Sequence, residues 1–392
     1  METRRMALTL RQTPIRLVIT LLGVAGALSL TGCAGFFQCE GKTDCPTTGT
    51  TGTASGDYAY ISNNSTSADD LSVYDVSTGA PDPLSNSPIS LGYVPNAIVI
   101  NPAGTIMFVS NPASSVINAY TVGSSGTLTG GTAVASQIAT TMAISPDGDY
   151  LYVLDLTSAG SILDTYSIGT NGVLTAAAQT GYTLPLLGTS GASITVGPTG
   201  SDYLVVTLGT AGDVIVPLTD DIVSSTITPQ TITFTDTAGT TGDYGAAIDG
   251  TNNNVYFART GTIGVYNVAS DGSKVTQITT NTTTNSATGN GDHAILLTGS
   301  YLYTANATDG TISGFSFTSA GVLTPLTGSP YTASTEVGAL GVDNTGKYIV
   351  ASGYNSSTGT KVFTIGSAGA LTAASATAAT GTSTAVVIAM TP

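Results

Sequence analysis

One strand motif recurs along most of the chain, and that recurrence limits the fold more than any other feature. It begins at Tyr58, Ile106, Tyr150, Tyr203, Asn254, Tyr301 and Tyr348, at intervals of 44 to 53 residues. It reads Tyr-Ala-Tyr-Ile-Ser-Asn at 58–63, Tyr-Leu-Tyr-Val-Leu-Asp at 150–155 and Tyr-Leu-Tyr-Thr-Ala-Asn at 301–306. Alternating aromatic and β-branched residues bounded by Asn or Asp mark a strand. The interval is the length of one propeller blade.

Three further signals recur in step with it. About 15 residues on comes a second strand with an aromatic near its middle, marked by Tyr74, Tyr120, Tyr166, Tyr266, Phe315 and Phe363. Pro217 takes that place in the fourth repeat, which predicts an irregular edge there. Gly-x-Leu-Thr follows at 126–129, 172–175, 321–324 and 369–372, with Gly for the turn and Leu opening the outermost strand. Ahead of the Tyr strand lies an apolar run, as in Ala97–Ile100, Met142–Ile144 and Ile295–Leu297, predicted to be the innermost strand. Turns such as Ser145-Pro146-Asp147-Gly148 join the two.

The ends of the repeat set the blade number. Gly56-Asp57-Tyr58 matches Gly148-Asp149-Tyr150, so the repeat opens after an inner strand. Ala385–Ala389 reads as that missing strand, and Thr391-Pro392 matches Ser145-Pro146. The expected fold is all-β: a seven-bladed propeller over 57–392, closed by a C-terminal strand that completes the first blade.

Composition excludes some alternatives and locates the chain. Only 8% of residues are charged and none is Trp, so neither a long-helix protein nor a WD-type propeller fits. No basic stripe exists to neutralise phosphates, which removes nucleic acid as a partner. Residues 1–32 form a secretory signal, with Arg4, Arg5, Arg11 and Arg16 ahead of the apolar run Leu17–Leu28. That run is too short for a membrane span. It ends in Leu30-Thr31-Gly32-Cys33, which resembles the bacterial lipobox and implies lipid on Cys33.

Without the signal, 5 basic residues face 23 acidic ones, so anchoring falls to the acyl chains rather than to a basic patch. Ala34 in place of Asp favours the outer membrane where the organism has one. Residues 33–56 read as a lipidated flexible tether. Cys39 and Cys45 within it are expected to form a small disulfide in an oxidising compartment; zinc would lack two ligands.

The propeller motifs resemble a known group. Phe108-Val109-Ser110-Asn111, Tyr152-Val153-Leu154-Asp155 and Tyr303-Thr304-Ala305-Asn306 stand where YVTN tetrads stand, and Gly-x-Leu-Thr is typical of lactonase-type propellers. The chain thus resembles the YVTN and lactonase-like seven-bladed propellers, including 6-phosphogluconolactonase-like proteins, across 57–392. That resemblance implies His, Arg and Glu at the channel mouth. Here only Arg259, His293 and Glu336 can fill those roles, the sole Arg, His and Glu beyond the tether. Blade geometry puts all three on one face, in three successive blades, with Asp292 beside the His and Asp243 ahead of the inner strand of the fifth blade. Such a set would transfer protons and bind an oxyanion.

Two functions follow. One is a non-catalytic, Thr/Ser/Asn-rich disc that binds proteins or glycans; the other is a lactone hydrolase using Arg259, His293 and Glu336, with Asp243 and Asp292 as ligand contacts. No cofactor and no specific metal site is expected. Asp69, Asp70, Asp155, Asp213 and Asp309 add acid to the same face, which could attract Ca²⁺, but loop Asp residues more often cap turns. A monomer is expected.

Overall fold

The computed structural model describes residues 56–65, 68–135, 138–188, 191–232, 243–259, 261–278, 294–353, 359–378 and 387–392. The tether, the Cys39–Cys45 pair and Cys33 lie outside them, as do Asp292 and His293. No helix among the described residues is long and apolar enough to cross a membrane.

Seven antiparallel sheets are described, one per repeat. The Tyr strands are Tyr58–Ser65, Ile106–Asn111, Tyr150–Thr157, Tyr203–Leu208, Asn254–Arg259, Tyr301–Asn306 and Tyr348–Gly353, beginning where the repeat predicts. Each pairs with an inner strand on one side and a third strand on the other. The inner strands pack in sequence around a ring, and Ile388–Met390 of blade 1 lies between Val337–Val342 of blade 7 and Ile98–Ile100 of blade 2. Ile388–Met390 pairs antiparallel with Ile61, Tyr60 and Ala59. The C-terminal strand therefore closes the ring, although it is placed slightly later than the apolar run 385–389 suggests.

The outer edges are less regular than the sequence implies. In blades 1, 3, 4 and 6 two short strands, rather than one, pair with the third strand. Pro217 is one such case: its carbonyl accepts the amide of Ser224, and the outer edge splits into Ile222–Val223 and Gln230–Ile232.

The core lies between blades. Tyr strands are buried on both faces because each blade is sandwiched by two others, so alternation in the sequence marks packing on two neighbours rather than an inside and an outside. Tyr152, Leu154 and Leu163 of blade 3 pack on Leu204, Val206 and Val214 of blade 4. Corresponding clusters occupy the other six junctions. The one joining last to first contains Tyr348, Val350 and Val362 against Ala59, Ile61 and Tyr74.

A hydroxyl latch repeats across these junctions. Tyr60 donates to the carbonyl of Gly126 at 2.9 Å, Tyr152 to that of Asp221 at 2.8 Å and Tyr303 to that of Gly369 at 2.7 Å. In each case the acceptor sits in the outer turn of the next blade. The Gly of Gly-x-Leu-Thr is needed there twice over. Gly369 has φ +79°, and a Cβ on it would come within 2.5 Å of the Tyr301 ring.

Candidate functional site

Arg259 is the last residue of the Tyr strand of blade 5 and opens a tight hairpin to Thr262. It is 7% exposed. One guanidinium nitrogen donates to the Tyr266 hydroxyl at 3.2 Å, and the guanidinium carbon lies 5.7 Å from the centre of that ring. Tyr266 is itself held edge-on by Phe257, with ring centres 5.5 Å apart. Gly264 leaves the space the guanidinium fills, since a Cβ there would come within 2.7 Å of its central carbon. The charge is thus clamped between an aromatic ring and backbone, a packing role as well as a polar one.

Glu336 directly precedes the inner strand Val337–Val342 of blade 7, in the loop position the sequence predicts. Its φ is +55°, a conformation a Glu rarely adopts. Gly353 permits the close approach of this turn: a Cβ on that glycine would meet the Thr335 carbonyl oxygen at 2.4 Å and that of Glu336 at 3.0 Å. One carboxylate oxygen of Glu336, Oε2, is buried with no hydrogen-bond partner among the described residues. A buried acceptor without a donor is costly unless something else uses it.

The expected cluster is only partly described. Arg259 and Glu336 belong to blades 5 and 7, with blade 6 between them. Asp243 needs a correction. It does not precede the inner strand of blade 5 but is its first residue, paired with Arg259 ahead of a bulge at Gly245. With this bulge the strand begins two residues before the apolar run Gly245–Ile248. The inner strands around the axis are otherwise nearly free of charge: among described residues only Asp243 and Asp249, at the two ends of one strand, are acidic or basic. No group of three or more His, Cys, Asp or Glu among the described residues is placed to hold a metal ion.

A second polar group escaped the sequence reading. A cleft of about 360 Å³ opens where blade 7 meets blade 1, lined by Asp57, Tyr58, Asp75, Asp343, Lys347 and Tyr348 among others. Asp343 sits at the turn position held by Asn101 and Ser145 in blades 2 and 3, and accepts the amides of Lys347 at 2.7 Å and of Tyr348. Asp57 is 4% exposed, and its Oδ1 accepts the amide of Asn344 at 3.4 Å. Burial first, and then the neighbouring Asp343, push the Asp57 carboxyl up to about 6. The matching turn motifs hinted at each residue separately. Their meeting depends on first and last blades touching.

No protein-family model matches the chain, and no curated protein matches it. Solved structures do. The periplasmic gluconolactonase PpgL of Pseudomonas aeruginosa matches with a TM-score of 0.66 at 16% identity, over 86% of this chain and 100% of that one. A candidate 6-phosphogluconolactonase from Bacteroides uniformis gives 0.66 at 15% identity, over 85% and 99%. Hydrazine synthase of Kuenenia stuttgartiensis gives 0.55 at 14% identity, over 76% and 90%. The likeness is one of fold, and it extends to propellers of unrelated chemistry.

Proposed function

We propose that this chain is an exported lipoprotein whose propeller is a binding module for protein or glycan ligands, anchored in the bacterial cell envelope through lipid on Cys33. The observation that carries this reading is Arg259. The only arginine of the propeller is 7% exposed, hydrogen-bonded to Tyr266 and 5.7 Å from the centre of its ring, so it supports the hairpin rather than standing open to a substrate. A nearly uncharged axis and a surface rich in Thr, Ser and Asn fit recognition through hydroxyls and amides. The periplasmic location of the Pseudomonas aeruginosa neighbour agrees with an envelope protein. Binding of the mature chain to an array of envelope glycans, scored against hydrolysis of gluconolactone in a pH-stat, tests the proposal. Saturable binding with no lactone turnover is expected.

A second reading, lactone hydrolysis at the channel mouth, is favoured by one observation: the buried Oε2 of Glu336, on a backbone held at φ +55°. A carboxylate on a strained backbone, with one oxygen lacking a partner among the described residues, is what a catalytic base would look like before substrate arrives. Turnover of gluconolactone that is lost in both Glu336→Gln and His293→Ala would establish this reading and displace the first.

A further inference from the structure

We propose that the cleft between blades 7 and 1 is a binding site for an organic cation, the primary ammonium of a linear amine, held over the Tyr348 ring between the carboxylates of Asp57 and Asp75. The cleft lies among the turns that join inner strand to Tyr strand, on the face opposite Arg259 and Glu336, and is therefore separate from the channel mouth. At about 360 Å³ it falls within the range of small-ligand sites.

The opening follows from one change in the repeat. Asp343-Asn344-Thr345-Gly346 is the blade 7 copy of the turn that reads Asn101-Pro102-Ala103-Gly104 in blade 2. Pro102 packs on Gly148 of the next blade, where a Cβ would come within 3.3 Å of its ring. Gly56 is the counterpart of Gly148. At the last junction an exposed Asn344 stands in place of the proline beside Gly56, and the space stays open.

What lines that space is short of donors. Asp57 is 4% exposed, and its Oδ1 accepts the Asn344 amide at 3.4 Å, whereas its Oδ2 has no donor among the described residues. Asp343 brings none, since its oxygens accept the amides of Thr345, Lys347 and Tyr348 and the Thr345 hydroxyl. Asp75 gives Oδ1 to the amide and hydroxyl of Ser77 at 2.9 and 2.6 Å, and its Oδ2 is likewise without a donor. No group of three acids among the described residues is arranged to hold a metal ion. Acceptors so placed call for a ligand that brings N–H groups and positive charge.

The cleft already displays this chemistry. Lys347, the one cation among its lining residues, lays its ammonium over the Tyr348 ring, 4.8 Å from the centre. That ring is thus a face that accepts a cation. Lys347 is itself exposed, so an amine that reaches both the ring and Asp57 displaces it at little cost. The lysine is a competitor for the site.

Calorimetric titration of the mature chain with cadaverine and spermidine, at physiological ionic strength, tests the site. Saturable binding is expected, and none with pentanediol, the neutral diol of the same length as cadaverine. Asp57→Asn should weaken binding by about tenfold or more, and Asp75→Asn by a smaller factor. Lys347→Met removes the competitor and should tighten binding about threefold. Asp202→Asn changes an exposed acid on the same face in blade 4 and should leave binding as it is. If Asp57→Asn fails to fold, the opposite effects of Asp75→Asn and Lys347→Met carry the test. Failure of both amines to bind the wild type, or binding that Asp57→Asn and Lys347→Met leave unchanged, would overturn the proposal. An equal loss in Asp202→Asn would overturn it too, by marking the attraction as one of net charge.

Discussion

The hydroxyl of Thr391 accepts the amide of Tyr58 at 2.8 Å, between residues 333 positions apart. In blade 3 the hydroxyl of Ser145 accepts the amide of Tyr150 at 2.9 Å, five positions away. The two bonds are one and the same turn cap, made once within a hairpin and once between the two ends of the propeller. Thr391 also donates to the Gly56 carbonyl, and its own amide donates to the carbonyl of Tyr58, both at 3.0 Å. Blade 1 thus rebuilds noncovalently the turn that its neighbours have in their backbone.

That equivalence makes a prediction. Thr391→Ala leaves the buried Tyr58 amide without its acceptor and should destabilise the propeller by about 1–3 kcal/mol. Ser145→Ala should cost about the same, since the bond is the same. Urea unfolding of the two variants checks this, and a Thr391 effect far smaller than that of Ser145 would mean that the ends are not joined as described. Deleting 384–392 removes the whole inner strand and should leave the chain insoluble or melting far lower.

The tyrosine latches should behave independently. Tyr60→Phe, Tyr152→Phe and Tyr303→Phe each remove one buried interblade hydrogen bond and should each cost about 0.5–1.5 kcal/mol. They lie at different junctions, so the triple variant should show their sum to within a few tenths of a kcal/mol. Chemical denaturation provides the measurement.

Gly264→Ala places a methyl where the Arg259 guanidinium lies. The clash at 2.7 Å should push that group off Tyr266 and cost about 1–3 kcal/mol. Pairing it with Arg259→Met should relieve most of the loss, because the smaller tip leaves room for the methyl. A double variant no more stable than Gly264→Ala would show that the strain lies elsewhere.

With one His in the whole chain, His293 can be titrated by NMR without ambiguity. On the binding-module reading its titration should be that of a solvated imidazole, unmoved by Glu336→Gln. A value that is raised and falls back in Glu336→Gln would instead reveal a coupled carboxylate, as lactone hydrolysis requires.

On the proposed lipoprotein reading, membrane anchoring rests on Cys33. Cys33→Ser should abolish acylation and release the protein from membranes into the soluble fraction, read by detergent partitioning. Continued partitioning of the variant with the membrane would count against the lipid anchor.

The strand pattern was legible in the sequence because each signal is local. A Tyr pair, a Pro-containing turn with its closing Gly, and Gly-x-Leu-Thr each specify a few residues of backbone, and repetition removes the ambiguity any single copy would carry. All seven Tyr strands begin where those signals put them. Of the split outer edges only that of blade 4 was legible, through Pro217; the others were not, since the outermost strand packs on one side only and its pattern is correspondingly weak.

The site divides along the same line. Sequence alone placed Glu336 before an inner strand and Arg259 at the end of a Tyr strand, because both positions follow from the repeat. It could not say that Arg259 would be spent on Tyr266, which depends on the room Gly264 leaves. Nor could it bring Asp57 to Asp343. Asp57 and Asn344, the neighbour of Asp343, are 287 positions apart, and contact at that separation is decided by ring closure. Local chemistry determined that this chain makes blades. The burial of two acids at the last junction was decided only when the seventh blade met the first, since a carboxyl is desolvated by its neighbours in space and not by those in sequence.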